Sequence, residues 1–178
     1  MTAINRKMVN IAIMDAGTNP GAVLPTDYIK GEIKNYTKSG GEQDVESDPH
    51  FGGDVDKEKP RSQFEISFEI TPSIDDADMW ENFAYANVTV GALTVFVSNV
   101  SADDKAVFIQ TQGTLGTPSM SYAFNNCNVT TLDMSHNADD NMSKTLNLKF
   151  GSEDNNGVSN FISAETDLVS MPAWSALP

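Results

Sequence analysis

The 178-residue chain has a single cysteine, two histidines and 11 basic residues against 25 acidic ones. One cysteine excludes an internal disulfide framework. Cys127 sits among asparagines with no histidine or lysine beside it, so it reads as a structural thiol and not as a nucleophile. His50 and His136 fall in expected loops and lack the companion spacing of a metal motif. No apolar run approaches the roughly 20 residues that cross a bilayer as a helix; the stretch from Met8 to Met14 is short and ends at Asp15. There is no basic segment followed by an apolar run and a small-residue cleavage site, so the chain is expected to be made and assembled inside a cell, with no membrane partner.

The shortage of basic residues leaves a formal net charge of -14 and a pI near 4.2. A surface of that sign repels phosphate, which excludes a nucleic-acid-binding groove and an anionic membrane surface. Phosphate-cradling glycine loops, a dinucleotide fingerprint and a nucleophile elbow are all missing. No nucleophile, base and orienting group can be assembled, so neither an enzyme nor a cofactor is expected. The acidic clusters at Asp54–Glu58, Asp75–Asp78, Asp103–Asp104 and Asp139–Asn141 do not match a helix-loop-helix calcium loop; counted from Asp54, Lys59 stands where glycine is required. No metal site is expected.

What is present is a run of strands. From Tyr28 to Thr37 one strand leads into a long acidic, glycine-bearing loop. The loop returns through Phe64-Glu-Ile-Ser-Phe-Glu-Ile70, in which Phe64, Ile66, Phe68 and Ile70 share one face and Glu65, Ser67 and Glu69 the other. A hairpin needs only about 2 to 5 connecting residues, so a loop over 38–62 is either disordered or used for contact. Pro72 closes the second strand, and Ser73 followed by acidic residues starts a helix over 73–85, whose Trp80 and Phe83 recur at helical spacing and pack on the sheet. Further strands are read at 91–97, 106–111, 120–124, 128–134 and 142–150, separated by Ser, Asn, Asp and Gly clusters, with one more at 158–164. Residues 8–14 suggest an arm or edge strand, and the tail beyond 165 reads as irregular. The fold class is therefore mainly β, an antiparallel sandwich or barrel with one short flanking helix and a long hairpin loop. The organisation is an N-terminal arm (1–27), a β-sandwich domain (28–164) and a C-terminal tail (165–178).

Such a protein has open sheet rims that must be shielded or paired. The basic and proline-containing Lys57-Glu-Lys-Pro-Arg61 could shield one. Alternatively, copies joined head to tail around an axis would turn every rim into a continuous ladder.

The order of these features resembles the tail tube proteins of long-tailed bacteriophages, which share their fold with the tube protein of type VI secretion. The resemblance covers most of residues 28–150. It rests on the strand from Ile29 to Thr37 leading into a long charged loop and on the Lys57-Glu-Lys-Pro-Arg-Ser-Gln63 entry to an apolar/acidic strand. The helix bearing Trp80-Glu-Asn-Phe83 and the later strands around Tyr122-Ala-Phe124 and Lys144 to Phe150 complete it. Residues 1–22 and those beyond Phe161 align with no clear counterpart in the family.

The resemblance implies hexameric rings, a central barrel closed by strands of six subunits, and a long loop that reaches the next ring. Other tail proteins would be partners, and viral DNA would pass through the lumen without specific binding. It further implies a virion component, assembled in the host cytoplasm, that conducts DNA during ejection. Glu65, Ser67 and Glu69 are the candidate lumen lining. Glu42, Asp44, Val45, Asp48, Phe51, Asp54 and Asp56 belong to the candidate ring-stacking loop. The alternatives are a head decoration or other capsid-associated β protein, and a cation- or sugar-binding β-sandwich module.

Overall fold

Alternation in the sequence becomes alternation in burial. In the computed structural model, which describes residues 9–29, 32–42, 45–50, 53–58, 62–73, 79–101, 103–112, 118–136 and 142–177, eleven strands and one α-helix follow in order. They are β1 (Val9–Asp15), β2 (Glu32–Gly40), β3 (Val45–His50), β4 (Gly53–Glu58), β5 (Phe64–Thr71), α1 (Met79–Ala84), β6 (Tyr85–Val90), β7 (Leu93–Ser101), β8 (Lys105–Gln112), β9 (Pro118–Ser135), β10 (Ser143–Phe150) and β11 (Phe161–Ala164). Seven of them form one antiparallel sheet in the order β1-β8-β9-β10-β5-β2, with β11 also on β9, while β3-β4 and β6-β7 are separate two-stranded ribbons. The fold is mainly β, a curled half-barrel with one short helix.

The large sheet has two halves of different character. In β5, Phe64, Ile66, Phe68 and Ile70 are buried while Glu65, Ser67, Glu69 and Thr71 are not. Opposite them, β10 buries Lys144, Leu146, Leu148 and Phe150. Each fully buried apolar chain here stabilises the fold by about 2 kcal/mol. A slip of one residue would turn every one of them to water, so the register is fixed. The half made of β2, β5, β10 and the end of β9 is therefore apolar on one face and polar on the other.

The half made of β1, β8, the start of β9 and β11 is covered on both faces. All six residues from Lys105 to Gln110 are buried, the pattern of a strand with no wet side. Val107 and Ile109 join the main core with Ile11, Ile13 and Phe124, whereas Ala106 and Phe108 join a second core with Ala12, Ala123, Val23, Leu168, Met171 and Trp174. The tail is thus part of the fold: 3-10 turns at Leu168–Ser170 and Trp174–Ala176 are joined by a segment with extended backbone at Met171 and Ala173, and Leu168, Met171 and Trp174 are buried. The Trp174 indole donates to the Thr18 carbonyl (2.8 Å), and its backbone N–H donates to Asn19 Oδ1 (3.1 Å).

Three boundaries differ from the sequence reading. The two strands expected at 120–124 and 128–134 are one bent strand, β9, because the asparagine cluster is a kink and not a turn. Asn126 takes the left-handed conformation (φ 51°), which asparagine tolerates, and it donates to Asn160 Oδ1 at 2.8 Å. The first strand begins at Glu32 and not at Tyr28, which instead bridges Ala12. The helix expected over 73–85 is described at Met79–Ala84, residues 74–78 lying outside the described residues, and at Tyr85 the chain passes into β6, a strand not expected from the sequence. In addition, Lys34 is an extra residue in β2, a bulge that brings both Ile33 and Tyr36 to the core face, where Tyr36 stacks on Phe68 at 5.4 Å.

Candidate functional site

The polar face of the four-stranded half is built by register. Asn35, Thr37 and Ser39 of β2 lie opposite Glu69, Ser67 and Glu65 of β5. These face Thr145, Asn147 and Lys149 of β10, and Thr145 and Asn147 in turn face Asp133 and Thr131 of β9. The three candidate lining residues are therefore brought together on one face. Lys149 Nζ lies 2.6 Å from Glu65 Oε1, both half exposed, so this carboxylate is largely neutralised and Glu69 and Asp133 carry the surplus negative charge. Asn147 donates to Thr131 Oγ1 (2.7 Å), and Thr130 donates to the Asn147 carbonyl (3.1 Å). A shallow depression of about 360 Å³ lies between Thr37, Glu65, Ser67, Thr131, Asn147 and Lys149. Hydroxyls, amides and carboxylates together make this face a hydrophilic surface.

This half has two open edges among the described residues. Strand β2 pairs only with β5. On β9, pairing with β8 extends to Cys127, and residues 128–135 have β10 on one side only. The strand directions alternate through β9, β10, β5 and β2. Placing the β9 edge of one copy beside the β2 edge of another therefore continues the antiparallel order.

Glu42 marks the base of the long loop: its N–H donates to Ser62 Oγ (3.0 Å), and Ser62 N–H donates to the Glu42 carbonyl (2.9 Å). Beyond it the loop is a paired ribbon, with Val45 opposite Glu58, Asp48 opposite Val55, Ser47 opposite Asp56 and Pro49 opposite Asp54. Asp44 and Phe51 lie outside the described residues. Trp80 and Phe83 are buried in the main core, edge to face at 5.7 Å, where the helical spacing placed them.

Two titratable groups inside the fold, Cys127 and Tyr36, are held in their neutral forms. Burial pushes the Cys127 thiol up, with Asp104 adding to the shift, so it is protonated and inert. Burial, then the neighbouring Tyr122, raises Tyr36 in the same way. Among the described residues no three His, Cys, Asp or Glu side chains converge as a metal site, and no helix is long and apolar enough to cross a membrane. The apolar β6–β7 ribbon was missed as an exposed surface; Val88, Val90, Leu93 and Val95 around Gly91 are its sequence signal.

This arrangement has counterparts among solved structures. A chain of the sheath–tube complex of an extracellular contractile injection system in its extended state matches with TM-score 0.56 at 13% identity, covering 92% of this chain and 93% of that one. The tube-terminating cap of the anti-feeding prophage matches with TM-score 0.57 at 12% identity over 93% of both chains. The sixfold-symmetrised anti-feeding prophage baseplate matches with TM-score 0.53 at 9% identity over 96% and 99%. The chain has a tube-protein fold. No protein-family model and no curated protein matches it, so the likeness is one of architecture.

Proposed function

We propose that this protein is a non-enzymatic structural subunit that closes into rings and stacks into the tube of a tail-like particle. The observation that carries this reading is the four-stranded sheet with one polar face, one apolar face and two open edges whose strands run in opposite directions. A cyclic head-to-tail arrangement pairs every such edge and leaves the polar faces lining a single channel. With six copies, the number suggested by the sixfold relative, the barrel would have ~24 strands. At about 4.8 Å between strands its circumference is ~115 Å and its diameter ~37 Å, before any widening by strand tilt.

Glu65, Ser67 and Glu69 then face the lumen, and the β3–β4 ribbon, with its acidic positions, reaches a neighbouring ring. The passenger in this reading is viral DNA during ejection, kept off the walls by negative charge. Other tail components cap and anchor the tube, as in the cap and baseplate assemblies that contain the similar chains, and the particle assembles in the host cytoplasm. Purified protein examined by negative-stain microscopy and analytical ultracentrifugation should show annular and tubular species. A lone soluble particle across protein concentration and ionic strength would overturn the reading.

A further inference from the structure

The β6–β7 ribbon has an apolar ladder that its own subunit leaves uncovered. Register places Val88 opposite Val95 and Val90 opposite Leu93, so these four side chains share one face. Thr89 and Thr94 oppose each other on the other. The four are 40%, 36%, 61% and 70% exposed, respectively, although isolated two-stranded ribbons are barely stable in water and such patches mark contact sites. No Asp, Glu, Lys or Arg occurs between Asn82 and Ala102, in a chain of net charge -14. A second acidic copy can therefore approach this ribbon without charge repulsion.

The same chain contains a matching concavity of about 450 Å³, lined by Lys38, Gly40, Gly41, Phe64, Ser159 and Phe161 among others, with no carboxylate in its lining. Its floor is aromatic, with Phe64 and Phe161 6.1 Å apart and Lys38 Nζ above both rings. Gly41 keeps it open: a Cβ there would sit 2.0 Å from the Phe64 ring. The other two concavities described, by contrast, include Glu65 in one and Asp104, Glu153 and Asp154 in the other.

Ribbon and notch lie at opposite ends of the strands. Ile70 and Lys144 are partners at one end, where Glu81 ties down α1 and the chain passes directly into β6. Phe150, Phe64 and Gly40 are partners at the other. In a closed barrel the two strand ends face the two rims of the ring. We infer that the Val88–Val95/Val90–Leu93 face of one copy seats in the Phe64–Phe161 notch of a copy in the adjacent ring, giving the tube a polar axial joint. This rests on the tube reading proposed above.

The test is a double variant, Val90→Asp with Leu93→Asp, in the full chain. Both positions are exposed in the subunit, so its melting temperature should stay within a few degrees of wild type. Microscopy should show rings, with tubes lost or shortened at least tenfold. Tubes of wild-type length would overturn the inference while leaving the tube reading intact. Folded monomers without rings would overturn it also, because the ribbon would then act within a ring. Wild-type protein that makes neither rings nor tubes would instead sink the tube reading itself. A second variant covers the case of misfolding: Leu93→Cys with Ser159→Cys, treated with a short bismaleimide. Preformed tubes should give a ladder of linked chains with the double variant and not with either single one, Cys127 being buried. Absence of that ladder from intact tubes overturns the joint.

Discussion

The Lys144 ammonium lies 2.8 Å from Glu81 Oε1, with the lysine side chain 5% exposed and the glutamate 30%. A lysine at a core-facing position of β10 would otherwise be costly to bury. Here it ties α1 to the end of the sheet where Lys144 and Ile70 are register partners, and so fixes where the β6–β7 ribbon, which follows α1 directly, leaves the subunit.

Removing one partner should therefore cost more than removing both. Glu81→Ala strands a buried cation and is expected to lower stability by about 3 kcal/mol, whereas Lys144→Met combined with Glu81→Leu should restore most of it. Urea denaturation midpoints measure this. Equal losses in single and double variants would show that the pair contributes only packing.

A corresponding experiment addresses the tail. Trp174 fills the second core and donates hydrogen bonds to the N-terminal segment through its indole and backbone N–H groups. Trp174→Ala should destabilise the subunit by about 3 to 5 kcal/mol, as read from chemical denaturation. A loss below about 1 kcal/mol would mean that the tail sits on the domain without stabilising it.

How much of this was legible in the sequence follows from which forces act locally. The alternation of β5 and β10 was readable because one side of each faces water. The spacing of Trp80 and Phe83 was readable because a helix turn is local. The bend of β9 was not, because its asparagine cluster has turn composition, and only pairing with β8, β10 and β11 keeps the chain extended through it. The tail looked irregular because neither helical nor strand period fits Leu168, Met171 and Trp174; short 3-10 turns alternating with extended backbone set their spacing. Strand β6 escaped notice because its apolar side chains have no inward partner. The polar face was legible residue by residue, but the Glu65–Lys149 pair joins strands 84 positions apart and is set by register alone.

Acid should loosen the C-terminal third first. The Asp154 carboxyl is held below its usual value by the backbone N–H groups of Val158 and Asn156, and Asp167 by the side chain and backbone N–H of Ser170. In each case the unfolded chain binds its proton at higher pH than the folded one. The stabilisation is therefore fully present above about pH 4 and disappears as pH falls through the lowered folded values. Asp154→Asn and Asp167→Asn keep an acceptor oxygen but cannot ionise. Their melting temperatures should fall below wild type at pH 7 and converge on it near pH 2.5. A gap that stays constant with pH would exclude the carboxylates as its source.

Charge on the polar face gives a test of which way it points. Screening confines the field of a wall carboxylate to about 8 Å at physiological ionic strength, well short of the axis of a channel ~37 Å across at the backbone. In the tube proposed above, negative side chains there would act as a non-stick lining, felt only when phosphate nears the wall. Replacing Glu65 and Glu69 by lysine removes two carboxylates and adds two cations beside Lys149. The core behind β5 is untouched, so rings and tubes should still form. Particles built from this variant should release DNA more slowly, and added salt should relieve the delay as it weakens phosphate contacts. Release at the wild-type rate, with tubes of normal appearance, would place this face away from the passage.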